Sequence, residues 1–389
     1  MNNIGKGKKI FVANGILHGH FTTSVELVRE LVSLGYDVTC CLTDEFEARM
    51  NVENVKKIVY KIDTTEAEKM LPPNVPPFAI NSFRVGISTD IVISTLLEKK
   101  DEFDYFIFDL FFDVAEMNKV LNIDPAKIAV LYVSYALTDV DQYDPRRIQG
   151  LQMTSRKYNI NLHDFVSNIF SPSIYKKLIP VSKYFHLRAE DTDNTCYFIG
   201  PNIEKRNPDT SFTFKKDAGR KLVYVSLGTI FGNDLSFYHR CIEAFRDSED
   251  YQVIMSVGRF VNIEESFKEI PANFTILNYV PQTQLLPEVD VFVTHAGYNS
   301  TTEGITAGVP LVMVPQSVDQ FDVAKVTQNL NAGIELNKNE IDITSDVIRK
   351  AVDDAYNNRE TFKKNMKTIS DSFEEARSNR EKIFAEIFA

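Results

Sequence analysis

Cysteine is scarce in this chain: Cys40, Cys41, Cys196 and Cys241 are the only four in 389 residues, and none falls in a C-x-x-C pair. That spacing suggests neither a zinc site nor a disulfide framework, and buried reduced thiols are the expected form. No apolar run approaches the roughly 18–20 residues that a membrane-crossing helix needs. The stretch MNNIGKGKKIFVANGILHGHF starts basic, but Asn14, Gly15, His18 and His20 break its apolar run, so it reads as a first strand and not as a signal peptide. Positive charge is in deficit, with 43 Lys and Arg against 54 Asp and Glu, a net charge of −11. Such an excess of acid argues against nucleic-acid backbones or anionic membranes as the main partner. A dinucleotide fingerprint is also missing, because Gly15 and Gly19 lack the G-x-G-x-x-G spacing. The chain has no internal repeat and no low-complexity segment. It reads as a soluble, cytoplasmic protein.

What is present is an α/β grammar used twice. A chain of 389 residues exceeds one ordinary core, and two domains are expected. Strand-like runs at Lys9–Ala13, Asp37–Leu42, Tyr105–Phe108 and Ile128–Tyr132 alternate with helical patterns, the first over Thr23–Leu34 and closed by Gly35. The proline-rich Leu71–Phe78 reads as a loop. Gly200–Arg220 is polar and broken by prolines, as a linker would be. The rhythm then restarts with strands at Leu222–Leu227, Val253–Val257, Phe274–Leu277, Val289–Thr294 and Leu311–Val314. The expected organisation is a first Rossmann-like domain over residues 1–205, a linker over 206–220, a second over 221–372, and a terminal helix over 373–389.

The densest chemistry lies between Asn278 and Gln320, NYVPQTQLLPEVDVFVTHAGYNSTTEGITAGVPLVMVPQSVDQ. A strand runs into His295, Gly297, Asn299 and Ser300, then a helical pattern over Thr301–Ala307 stops at Gly308. Small and hydrogen-bonding residues at a strand-to-helix turn make an anion site, since main-chain N–H groups and the positive helix end face one point. Glu303, one turn in, places a carboxylate where it could accept hydrogen bonds from a ribose. Together these groups suit a sugar nucleotide. Far upstream, the first β-to-α turn carries His18-Gly19-His20, where α/β sheets place ligands.

THAGYNSTTEG followed by GVPLVMVPQSVDQFDVA resembles the nucleotide-sugar signature of family 1 glycosyltransferases, particularly bacterial macrolide-type enzymes. GHFTTSVELVRELVSLGYDV, VYVSLGT and YVPQTQLL support the likeness, which spans most of the chain. The resemblance implies the glycosyltransferase B fold: two Rossmann-like domains facing a cleft, donor on the second, acceptor mostly on the first, and a final helix crossing back to the first domain. It implies that His295 contacts the diphosphate and that Gly297, Asn299 and Ser300 wrap the phosphates, with Ser226 and Thr229 nearby. Glu303 matches the ribose-binding acid, and Asp319 and Gln320 match the pair that bonds the donor sugar. Tyr279 and Tyr298 each stand where a Trp is frequent, Tyr279 over the base. Val280 would offer its backbone to the base edge, and Gln282 belongs to the same donor-binding stretch.

The resemblance also aligns His20 with a general base and Asp109 with the carboxylate that orients it. A neutral imidazole can take a hydroxyl proton near operating pH, and an acid on its other nitrogen fixes the tautomer. Asp113 is the competing carboxylate. Thr23 stands where the family usually has Pro. The implied activity is inverting, metal-independent transfer of a hexose, with glucose from UDP-glucose favoured and dTDP open, to a hydroxyl of a small hydrophobic macrolide, flavonoid or phenol. The donor is a co-substrate and no cofactor is expected. The competing readings are an epimerase or hydrolase of the same fold, and a non-catalytic sugar-nucleotide-binding auxiliary protein. The acceptor pocket is assigned to residues near Leu71–Gly86, Ser134–Tyr143 and Met153–Tyr175. Asp191-Thr192-Asp193 and Asp139-Val140-Asp141 read as acidic turns, and His163, His186 and His239 as ordinary histidines.

Overall fold

The computed structural model describes residues 3–65, 77–136, 154–155, 160–161, 174–202, 209–228, 234–316 and 319–389, with main chain alone for 77–83, 154–155 and 160–161. Thr229, His163, Asp139-Val140-Asp141, residues 71–76 of the proline-rich segment and most of the two downstream acceptor-loop segments lie outside them.

The chain forms two compact units, one of residues 1–183, 188–204 and 375–389, the other of residues 184–187 and 205–374. In the first, β1 (Lys9–Ala13), β2 (Asp37–Thr43), β3 (Lys56–Tyr60), β4 (Tyr105–Asp109) and β5 (Ile128–Leu131) share a sheet with β8 (Lys176–Ile179) and β9 (Cys196–Phe198). A short antiparallel pair, β6 (Thr154–Ser155) and β7 (Ile160–Asn161), stands apart from it. The large sheet is parallel throughout, in the order β3-β2-β1-β4-β5-β8-β9. Parallel strands need both faces covered, and β1 shows how the sequence does this. Ile10 and Val12 pack with Val25, Val28 and Leu31 of α1 (His18–Ser33) on one face. Phe11 and Ala13 meet Val92, Ile93 and Leu96 of α2 (Pro77–Lys99) and Met117 and Leu121 of α3 (Val114–Leu121) on the other.

The second unit repeats the plan with β10 (Lys221–Ser226), β11 (Tyr251–Ser256), β12 (Phe274–Leu277), β13 (Val291–Thr294), β14 (Leu311–Met313) and β15 (Gly333–Glu335), in the order β12-β11-β10-β13-β14-β15. Val223, Val225, Val253 and Met255 pack against Phe237, Cys241 and Phe245 of α4 (Leu235–Phe245). Two further helices matter for the site, α5 (Tyr298–Ala307) and α6 (Asp319–Asn329). Three more close the chain: α7 (Ser345–Asn357), α8 (Arg359–Ser378) and α9 (Arg380–Ile387). The described part of the 206–220 segment is held to this unit: Asp209 N–H donates to Gln284, Lys216 pairs with Asp290, and Asp217 N–H donates to Gln252.

In both sheets the strand order reverses beside the first strand, between β1 and β4 and between β10 and β13. The carboxyl ends at such a reversal open a crevice where ligands bind. Cys40, Cys41 and Cys241 are buried, and burial pushes their thiols up, so they stay protonated. No helix among the described residues is long and apolar enough to cross a membrane.

Candidate active site

At the reversal in the first sheet, β1 ends at Ala13 and the chain turns through Asn14 and Gly15 into α1, while β4 ends on Asp109. Helix α1 begins at His18, five residues earlier than the apolar pattern alone predicts, so His20 sits in its first turn. His20 Nδ1 lies 3.0 Å from Asp109 Oδ1 and 3.0 Å from Oδ2. An ionised carboxylate only accepts, so Nδ1–H donates and Nε2 is left as the basic nitrogen. The Asp109 side chain is 1% exposed and that of His20 12%, an arrangement that shields the acid and lets the imidazole reach solvent. The Phe111 N–H donates to Asp109 Oδ1 at 2.9 Å, and the Phe111 ring stacks on His20, centroids 4.0 Å apart and planes 12° from parallel.

Gly15 makes this approach possible. A Cβ there would lie 2.5 Å from Asp109 Oδ2 and 2.6 Å from His20 Cβ, closer than real contacts allow. Asp113, the competing carboxylate, instead caps α3, its Oδ1 accepting from Glu116 N–H at 3.1 Å. Thr23, in place of the usual Pro, turns its hydroxyl back to the Gly19 carbonyl at 3.0 Å, inside the helix.

At the reversal in the second sheet, β10 leads into Ser226 and Gly228, and β13 into the turn 295–297 ahead of α5. The His295 ring is held between two glycines: a Cβ on Gly228 would meet its Cε1 at 2.6 Å, and one on Gly297 its Nε2 at 2.4 Å. Burial pushes its pKa from 6.5 down to about 4, against a weaker opposing contact with the Ser226 main chain. The ring is therefore neutral and can offer an N–H to an anion without carrying charge. Ala296 adopts φ 60°, a left-handed conformation that a residue with a Cβ adopts at a cost. Gly297 is the N-cap of α5 and supplies no capping side chain. Tyr298, Asn299 and Ser300 thus form the first turn of that helix, where N–H groups and the dipole favour negative charge.

Other residues singled out from sequence lie in the same unit. Glu303 Oε2 accepts from Gln282 Nε2 at 2.6 Å, which orients the acid. Ser226 is buried, its hydroxyl accepting from Gly228 N–H at 3.3 Å. Gln320, in the first turn of α6, is buried and accepts from Gln316 N–H at 2.9 Å, and Asp319 begins that helix. Tyr279 is 59% exposed, an open aromatic face, whereas Val280 and Tyr298 are buried. Outside the site, Asp191 pairs with Arg188 and Asp193 bonds within its own turn to Thr195. His186 is buried, and His239 packs against Phe267. Gly15, Gly228 and Phe111 were not legible as site residues, since each acts through contact with a residue distant in sequence.

Two parallel Rossmann-like sheets of this order define the glycosyltransferase B fold. A solved glycosyltransferase titled for kitacinnamycin superposes with TM-score 0.74 at 24% identity, covering 97% of this chain and 98% of the other. A Phytolacca americana UGT2, solved with UDP-2-fluoro-glucose and pterostilbene, superposes with TM-score 0.73 at 16% identity, covering 98% of this chain and 100% of the other. The family model described as "UDP-glucoronosyl and UDP-glucosyl transferase" matches residues 199–376. An NDP-glycosyltransferase, YjiC, of Bacillus subtilis is 31% identical over 383 residues, 96% of this chain and 94% of that protein. The oleandomycin glycosyltransferase of Streptomyces antibioticus is 26% identical over 86% of this chain and 80% of its own length. The chain belongs to the family 1 UDP-glycosyltransferases, enzymes that transfer a sugar from a nucleotide-sugar donor.

Proposed function

We propose that this enzyme moves a hexose, glucose from UDP-glucose in preference, to a hydroxyl of a small hydrophobic acceptor, with inversion and without a metal. The observation that carries the proposal is the His20–Asp109 pair, set at the reversal point of the first sheet with the acid shielded and the imidazole partly exposed. In this reading Nε2 takes the acceptor proton as the oxygen attacks the anomeric carbon, and Asp109 stabilises the imidazolium that forms. The departing diphosphate is received by the first turn of α5, His295 and the Ser226–Thr229 segment, whose oriented dipoles meet the developing charge. Glu303, steadied by Gln282, binds the ribose, and Tyr279 and the Val280 main chain hold the base. Asp319 and Gln320 bind the sugar with Tyr298 near it, and Gly297, Asn299 and Ser300 wrap the phosphates.

The names of relatives support the choice of acceptor class: one is named for oleandomycin, and one structure was solved with pterostilbene. The test is a mass-spectrometric screen of UDP- and dTDP-sugars against macrolide, flavonoid and phenolic acceptors, with product anomeric configuration read by NMR. His20→Ala should lower transfer by about 10²–10⁴-fold, the usual contribution of a general base, while donor affinity is kept. Full transfer by that variant would overturn the assignment of the base.

A further inference from the structure

We propose that Phe111 is a positioning residue for the reaction, holding both members of the His20–Asp109 pair at once. The inference rests on the reading of His20 as the base. The carboxylate holds the imidazole at a single atom, Nδ1, which lies 3.0 Å from each of the two Asp109 oxygens. The Phe111 ring supplies a second constraint, on the ring plane. It lies on the imidazole with centroids 4.0 Å apart and planes 12° from parallel, close enough that any substantial tilt of the His20 ring forces a clash or opens a gap. The N–H of the same residue donates to Asp109 Oδ1 at 2.9 Å and fixes the acid that the imidazole must meet.

One short segment after β4 therefore sets the carboxylate through its main chain and the imidazole plane through its side chain. With Nδ1 and the plane both fixed, the direction of the Nε2 lone pair is fixed, and that direction decides whether an acceptor hydroxyl is in line for proton transfer. The aromatic face also lies against the ring that becomes cationic when the proton arrives, a contact that gains strength as charge develops. Both effects belong to the reaction step and not to donor binding, so they should appear in kcat.

The test uses the full chain with Phe111→Leu and Phe111→Met, which keep apolar bulk and the main-chain bond but lose the flat ring, and Phe111→Tyr, which keeps it. The first two should lower kcat about tenfold, the scale of one aromatic contact, with donor KM unchanged and thermal midpoint near that of the parent. Phe111→Tyr should retain the parent's kcat. The imidazole proton resonances of His20, displaced in the parent by the ring current of the stacked face, should move towards ordinary positions in the Leu and Met variants only. Unchanged kcat in both aliphatic variants would overturn the proposal, as would a Tyr variant no better than Leu. His20→Ala is assayed alongside. If it is inactive while the aliphatic variants match the parent, only the role of Phe111 fails; if it is fully active, the reading of the base itself fails.

Discussion

His295 shows how one side chain joins stability to ligand chemistry. Gly228 and Gly297 close on its ring so tightly that neither position accepts a Cβ. Burial lowers its pKa from 6.5 to about 4, so between those values the unfolded chain holds a proton that the folded chain refuses. The sign follows: the contribution to stability is complete above about pH 6.5 and is lost as pH falls towards 4. From pH 7 to pH 4 the parent should lose up to about 3 kcal/mol more than a His295→Asn variant, read from urea midpoints at each pH. Equal losses would mean that the ring protonates freely in the folded protein. At this scale the local pattern offered His20 and Glu303 as candidates, while Asp109 and Gln320 were named from the family resemblance. Gly15, Gly228 and Phe111 could not be named, because a close approach or a stacked ring is a relation between distant segments.

Two of the helices that carry site residues, α1 and α5, begin earlier than the sequence pattern places them. Helix α5 was expected from Thr301 and starts at Tyr298, because the cap is Gly297 and not a hydrogen-bonding side chain. Polar Asn299 and Ser300 look like capping residues, yet they occupy the first turn of the helix itself. Helix α1 begins at His18 behind Leu17, whose side chain makes no cap bond, so nothing local announced it. Strands β3, β8, β9 and β15 were not read either, since KKIVY, KKLI, CYF and GIE are short or charged and owe their pairing to neighbours already in the sheet. The proline-rich segment, read as a loop through Phe78, gives way to α2 at Pro77, a first-turn position where the missing N–H is not needed. The end of α5 was legible, and it yields a prediction. Gly308 adopts φ 68°, and its N–H and that of Val309 close the helix on Ile305 and Gly304. Gly308→Ala should cost about 1 kcal/mol in a denaturant titration with donor KM unchanged, since the left-handed conformation is the only thing altered.

Among the described residues, the first unit is completed by sequence from far away. Arg380 is buried, donating to the carbonyls of Ile199, Gly200 and Pro201 and to Glu30 on α1. Asn202 donates to the Thr23 carbonyl of the same helix at 2.7 Å. Arg380→Ala should destabilise this unit by about 3–5 kcal/mol, because the carboxylate and carbonyls lose a shared donor. Arg380→Lys should recover little of that, since an ammonium cannot present the planar fork that reaches all four groups. Chemical denaturation followed by fluorescence would check both. That the chain holds two α/β units was readable from its length and the restart of the strand rhythm. The Arg380 contacts were not, because they join residues some 180 and 350 positions apart. Phe384, Ile387 and Phe388 fill the same core as Ile10 and Val12. During synthesis the part of the first sheet's core that Phe384, Ile387 and Phe388 fill therefore stays uncovered until residues 375–389 have left the ribosome, whereas every residue of the second unit precedes them. The half made earliest is finished last, which makes nascent chains stalled short of Arg380 the form most in need of a chaperone.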